Sequence, residues 1–381
     1  MRKLKQPWDK IVMVLCIALV VFQIYTVFGL LPDLIKRSVH MGFVLVLTFI
    51  LVPISKKQKG SDKVPIYDII LAAISAAAVI FLVINYDALI WNPLQWLSPL
   101  DQALAFLMVL LVMEASRRSV GLIFPGLAIV FFIYAVYGPY FPGVWGHKAY
   151  SLDLIFQTLY HSTNGIWGTM ISISAGMLAM FGIFGAMHSE TGGAETFIKL
   201  GQKLTGKTVG GQGKVALIAS GLFGMISGSA MANVVGTGTF TIPLMQKSGY
   251  NNEWAAAISA VGSTGGTIMP PMMGAGAFIM AQLLGVSYLE IAKAALIPAL
   301  LYYIGAYIAV HYISKKDKIA GKEVKETIDK TEYIVIFTPI AFFLFYLLRG
   351  YTATMSAFYA TVAGFVVALL FKILKAENKS D

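Results

Sequence analysis

Between Lys214 and Lys247 run 32 residues without one charged side chain. No other feature constrains the fold as tightly. As one helix this run would be about 48 Å long, against about 30 Å for the hydrocarbon core of a bilayer. Each half of about 16 residues falls short of a full crossing. In a membrane the run meets both limits by dipping in and turning back. Composition removes the soluble alternative: 57% of the residues are hydrophobic and 13% charged, with mean hydropathy +0.74. A soluble domain carries about a quarter charged residues. Half that charge cannot cover a water-facing surface, so the chain reads as an all-α polytopic membrane protein. Its one cysteine, Cys16, excludes an intrachain disulfide or an all-cysteine metal site.

Stretches apolar enough to cross lie near 11–31, 38–54, 67–86, 102–115, 119–137, 166–187, 290–313, 333–349 and 353–374. A second uncharged stretch, 254–289, is interrupted by Thr264-Gly265-Gly266 and by Met269-Pro270-Pro271-Met272. The fold expected is about ten membrane-crossing helices, a re-entrant hairpin at 215–246 and a broken helix at 254–285. Basic loops stay cytoplasmic. With the N-terminus inside and a re-entrant 215–246, 24 of the 29 lysines and arginines fall on the cytoplasmic side, leaving Lys36, Arg37, Lys148, Lys293 and Arg349 outside. A single crossing there would place the lysines of 314–332 outside. The net charge of +10 therefore belongs to topology and the anionic inner leaflet, with no nucleic acid needed. The first apolar run follows Arg2, Lys3, Lys5 and Lys10 without a small-residue cleavage site, and reads as a retained helix.

Residues 1–115 have the composition of four ordinary membrane helices. Beyond 119 the character changes, and 23 of the 36 glycines fall within 166–285. Residues 314–332 read as a solvated connector with an amphipathic surface helix, followed by two plain helices to 381. Residues 194–206 read as amphipathic too, with Phe197, Leu200 and Leu204 opposite Lys199 and Lys203.

The chemistry gathers at two breaks. Around the centre of 215–246 stand Ser227, Ser229, Asn233, Gly236 and Thr237. In 254–285 stand Gly262, Ser263, Thr264, Gly265, Thr267 and Pro270. Backbone that leaves a helix at membrane depth must be buried in protein or line an aqueous cavity. Short hydroxyls, an amide and freed carbonyls are hard oxygen ligands suited to Na⁺, and inward helix N-termini suit an anionic substrate. Only Glu114 among the acidic residues approaches a span interior, beside Arg117 and Arg118. A proton pump needs intramembrane carboxylates or histidines, so the coupling ion expected is Na⁺, with no other cofactor. Close packing competes with this reading: Gly224 and Gly228 fit small-xxx-small spacing, and Asn233 fits interhelical hydrogen bonding. The five histidines are scattered without metal-ligand spacing. Gly210-Gly211-Gln212-Gly213-Lys214 fails as a phosphate loop, since Val215 follows the lysine and Thr208 replaces its first glycine. Glu114 to Arg118 reads as a helix end with its anchor, or as a dock for the first four helices.

At these residues the sequence resembles the fused permeases of tripartite ATP-independent periplasmic (TRAP) transporters, in the subtype that works with TAXI-type solute-binding proteins. The segments concerned are Ser227-Gly228-Ser229-Ala230, Ala232-Asn233-Val234, Thr241-Ile242-Pro243-Leu244-Met245, Gly249-Tyr250, Ser263-Thr264-Gly265-Gly266 and Met269-Pro270-Pro271 through Phe278. The resemblance implies that 1–115 corresponds to a small subunit, and 119–313 to the first half of an elevator-type transport subunit. The hairpin tip and the break would then supply a Na⁺ site and half of an organic-acid site. It further implies an extracytoplasmic binding protein of the TAXI type as partner, and a place in a prokaryotic inner membrane with the N-terminus cytoplasmic. Such folds contain inverted repeats, whereas this chain has one hairpin and one broken helix. The expectation is that the other half is missing or lies on a second polypeptide, and that the chain alone does not transport. Competing expectations are a stand-alone Na⁺/dicarboxylate symporter and a non-transporting scaffold. An enzyme is not expected, because no nucleophile, metal or acid–base pair stands at membrane depth.

Overall fold

The computed structural model describes residues 2–55, 58, 60–92, 95–321 and 329–377. The charged core of the expected surface helix, 322–328, and the end of the tail lie outside the described residues. The fold is helical throughout the described elements, and among the described residues nine helices are long and apolar enough to cross a membrane. The protein is a multi-pass membrane protein.

Two compact units divide between Gly176 and Met177. The first contains α1 (Trp8–Phe28), α2 (Asp33–Leu51), α3 (Ile66–Ile84), α4 (Tyr86–Trp91), α5 (Pro99–Val120), α6 (Ile123–Tyr137), α7 (Leu152–His161) and α8 (Thr169–Ile173). Prolines 7, 32 and 65 immediately precede α1, α2 and α3, as expected where the chain cannot be helical further back. Ser98 caps α5 by accepting from the Asp101 amide. The core joins Leu45, Phe49, Ala78, Leu82, Met108 and Trp167, with the Tyr160 hydroxyl donating to the Ala78 carbonyl at 2.6 Å. Composition changes at 115–119, but α6 and α7 remain packed on α5 through Phe106, Phe132 and Phe156, so the first unit runs on to 176.

The acidic residues correct one expectation. Glu114 is not alone in a span: Asp68 and Asp101 are fully buried. Asp68 accepts from Arg2 and, at 2.7 Å, from Arg118, which also donates to Glu114. Arg2 further donates to the Phe49 and Ile50 carbonyls. Breaking such a buried pair costs about 3–5 kcal/mol, so the Glu114–Arg118 segment ties α5 to α2 and α3 within this unit. Asp101 meets His161 at 2.9 Å.

The second unit begins inside a π-turn, Ser174–Leu178, and contains α9 (Ala179–Glu190), α10 (Gly193–Thr205), α11 (Gly211–Ser227), α12 (Ala230–Asn233), α13 (Thr239–Lys247), α14 (Asn252–Gly266), α15 (Ala275–Leu284), α16 (Tyr288–Lys316), α17 (Lys330–Leu348) and α18 (Ala353–Glu377). α10 stands where the amphipathic segment is expected, although Phe197 is buried while Leu204 is exposed.

The hairpin is explicit in the contacts. α11 and the return strand of helix run antiparallel: Thr237 meets Ser220, and farther down Tyr250 meets Gly210. α14 runs parallel to α11, with Gly262 against Ser220 and Gly266 against Gly224. Two neighbouring helices that follow one another and point the same way require a return between them. The Tyr250 hydroxyl donates to the Gly210 carbonyl at 3.1 Å and lies 2.5 Å from the Ser314 hydroxyl. The hairpin's start, its finish and the last turn of α16 therefore meet at one end. Burial pushes the Tyr250 phenol above its ordinary range, which keeps it an O–H donor.

Candidate functional site: a re-entrant hairpin tip against a broken helix

The local sequence explains both breaks. α11 stops because Gly228 takes a left-handed conformation at φ 59°, where an added Cβ would lie 2.4 Å from the Met273 carbonyl oxygen. Ser229 then caps α12, its hydroxyl accepting from the Ala232 amide at 3.3 Å. Four helical residues lead into a second π-turn, Val234–Gly238, a distortion often found at functional sites. On the other side α14 ends at Gly266, and the chain turns through Pro270-Pro271 before α15. The Gly274 amide donates to the Thr267 carbonyl at 2.6 Å, and the Met272 amide to Met225 of α11 at 3.1 Å. The Tyr288 hydroxyl donates to the Pro271 carbonyl at 2.6 Å. The break is thus fastened to the hairpin on one side and to α16 on the other.

The hairpin residues fall into two groups. Asn233 and Thr237 are fully buried and tie the hairpin to itself. The Asn233 amide donates to the Ser220 carbonyl at 2.7 Å, and Thr237 donates to Asn233 at its backbone and side-chain oxygens. Gly236 lies against the Phe223 ring. Ser227, in contrast, has a buried hydroxyl with no hydrogen-bond partner among the described residues. The break divides likewise. Gly262 and Gly265 admit Ser220 and Tyr302, whose hydroxyl donates to the Val261 carbonyl at 2.9 Å. Thr264 and Thr267 donate to carbonyls one turn back, at 2.8 Å each. Pro270 is half-buried in the turn. Ser263 is fully buried, and its hydroxyl has no partner among the described residues.

Sequence reasoning missed Ser220, Tyr302 and Tyr303, and did not single out Ser259 as a ligand. Ser259 is a third buried hydroxyl without a partner among the described residues, one turn before Ser263. The Tyr303 hydroxyl donates to the Gly262 carbonyl at 2.7 Å. The serines carried a signal, since Ser259, Gly262, Ser263 and Gly266 form one small-residue stripe at i, i+3, i+4, i+7. The tyrosines carried none, because they lie on α16, the second helix after the break.

Beside the tip and the break opens a groove of about 650 Å³ touched by Gly228 and Thr267, with Ile268, Met273, Met280 and Ile291 making apolar walls. No charged side chain lines it. The side chains named at the hairpin tip and the break offer neutral oxygens and no carboxylate. No cluster of histidine, cysteine and carboxylate that could hold a transition metal occurs among the described residues.

This arrangement has known counterparts. Residues 107–379, well over half of the chain, match the profile of the tripartite ATP-independent periplasmic transporter family, DctM component. The chain belongs to that family. Members are transporters, not enzymes. Among its relatives, the C4-dicarboxylate TRAP transporter large permease protein DctM of Vibrio cholerae is 32% identical over 126 residues, 33% of this chain and 26% of the relative. The sialic acid TRAP transporter large permease protein SiaM of the same organism is 26% identical over 166 residues, 42% of this chain and 38% of the relative. The 2,3-diketo-L-gulonate TRAP transporter large permease protein YiaN of Escherichia coli is 26% identical over 122 residues, 32% and 27% of the two chains. The chain thus spans between about a quarter and two-fifths of the length of these relatives.

Proposed function

We propose that this TRAP-family chain is part of a sodium-coupled permease that imports an organic acid handed over by an extracytoplasmic binding protein of the TAXI type. The observation that carries the reading is the set of buried hydroxyls without a partner among the described residues, at the hairpin tip and in α14, Ser227 and Ser263 first. A buried hydroxyl without a partner costs about 1–3 kcal/mol, and a bound cation removes that cost. The absence of carboxylates from both breaks favours Na⁺ over H⁺ as the coupling ion. The three relatives are named for organic acids, which supports that substrate class. In this reading residues 1–115 act as the small-subunit portion and 119–313 carry the moving hairpin and break. The second hairpin-bearing half comes from further permease sequence, on this polypeptide or another.

The test uses proteoliposomes holding the complete permease with its binding protein. Uptake should follow an imposed Na⁺ gradient. Ser227→Ala and Ser263→Ala should each raise the Na⁺ concentration for half-maximal uptake about tenfold or more, equivalent to about 1.4 kcal/mol, and, measured without Na⁺, should not lower the melting temperature. Uptake driven by a pH gradient without Na⁺, or serine variants with wild-type Na⁺ dependence, would sink the proposal. Undiminished uptake without any binding protein would favour a stand-alone symporter.

A further inference from the structure

The segment that follows α6 takes no part in the site above, yet its surface is unusual for a loop. The membrane-crossing stretch that holds α6, Ile123–Tyr140, has 18 residues and already takes in the first turn of the loop. Its flanks are apolar and open: Val130 and Phe131 are 61% and 59% exposed. A chain that had reached water would turn polar here. Instead Tyr140, Val144 and Trp145 follow, at 85%, 96% and 69% exposed.

The loop is nevertheless firmly built. It makes two 3-10 turns, Gly138–Tyr140 and Gly143–Trp145. The His147 and Phe141 amides both donate to the Gly138 carbonyl, the Gly146 amide to Gly143, and the Tyr134 hydroxyl to the Trp145 carbonyl at 2.6 Å. The Tyr134 ring meets Phe141 and His147 edge-on, with centroids 4.9 and 4.7 Å away. A Cβ on Gly138 would fall 2.2 Å from the His147 ring, so glycine is what lets the imidazole lie there. Phe141 and Trp145 fold back towards Val130, Phe131 and Tyr134 and enclose a shallow apolar groove of about 430 Å³ along α6.

We propose that residues 138–150 form an interfacial anchor, with Tyr140 and Trp145 seated in the headgroup layer and Val144 at the edge of the hydrocarbon. Two features select lipid as the occupant. The exposed apolar surface of the loop continues that of α6, which a multi-pass chain gives to the bilayer. The amides of Phe141, Gly146, His147 and Tyr150 donate to backbone carbonyls, which lowers the cost of seating the loop in a poorly hydrated layer, and the loop presents the amphipathic rings that concentrate at membrane interfaces. The inference rests on the first unit alone and is independent of the transport reading.

Spin labels at Val144→Cys, Trp145→Cys and Lys148→Cys, in a Cys16→Ala background of the full chain, test it in phosphatidylcholine–phosphatidylglycerol vesicles. Power saturation compares dissolved oxygen, which partitions into lipid, with a water-soluble nickel chelate. Positions 144 and 145 should favour oxygen, and 148 should shift towards nickel. Equal nickel access at all three positions would place the loop in water and overturn the anchor. Protection of 144 and 145 from both reagents would do the same, by showing a protein covering the surface. Val144 points into open surface, so the label at that position does not disturb the fold.

Discussion

His188 shows how much a single side chain reveals when its surroundings are counted. Its ring is fully buried, stacked with Phe184 and Phe197, and neither ring nitrogen has a partner among the described residues. Unlike the hairpin serines, it lies beside no break and no uncharged oxygen cluster. An unmet buried polar group costs about 1–3 kcal/mol, so His188→Leu should raise the melting temperature of the detergent-solubilised chain. A fall would mean that a water or ligand satisfies the ring. Asn233 makes the opposite case. Its composition and place suggest a ligand, but in the structure its amide is spent on the Ser220 carbonyl. That distinction was not legible in sequence, because an asparagine at a tip reads alike whether it faces inward or into the cavity. Ser227 and Ser263, whose hydroxyls have no partner among the described residues, were legible as candidates from residue type and position, and only their surroundings set them apart from Ser229 and Thr264.

At the scale of elements, the contact between α11 and α14 sets the geometry of the break. A Cβ on Gly224 would stand 2.4 Å from the Gly266 Cα, and one on Gly266 would stand 2.6 Å from the Gly224 Cα. Neither neighbour is a flexible side-chain end, so the helices must part to admit a methyl group. Gly266→Ala should destabilise by about 1–3 kcal/mol and weaken any ion binding at Ser263 along with it; thermal unfolding with and without Na⁺ measures both. The Tyr250 junction is a second element-scale joint. Tyr250→Phe removes the donor to Gly210 and the contact with Ser314, at about 1 kcal/mol for each hydrogen bond, and should lower the melting temperature accordingly. Because burial raises the folded-state phenol, the junction's contribution is complete below a pH of about 10 and is lost as pH climbs through the raised value. Melting curves across alkaline pH should show that loss in the wild type and much less of it in the variant. The re-entrant turn was readable from two facts about 215–246, its length and its lack of charge. The parallel pairing of α11 with α14 was not readable, since glycine spacing says that helices touch and leaves their direction open.

Across the whole molecule, the shared end of the hairpin and α16 predicts where lysines emerge. Lys207→Cys, Lys247→Cys and Lys316→Cys, each in a Cys16→Ala background, should react with a membrane-impermeant maleimide from the same side of sealed vesicles. Reaction from opposite sides would contradict the hairpin. The helical class and the crossings were legible because bilayer thickness imposes a length on every span. The limits of the units were not, since composition changes near 115 while α6 and α7 stay packed on α5. The same junction also has a consequence for biogenesis. Tyr250 reaches Gly210 as soon as the hairpin is made, but its second partner, Ser314, comes 64 residues later in the chain, so a ribosome that has just finished the hairpin leaves its base half fastened. Until α16 emerges, the nascent loop has only half of its lock, and that interval is when an insertase or a quality-control protease has its best chance to act on it.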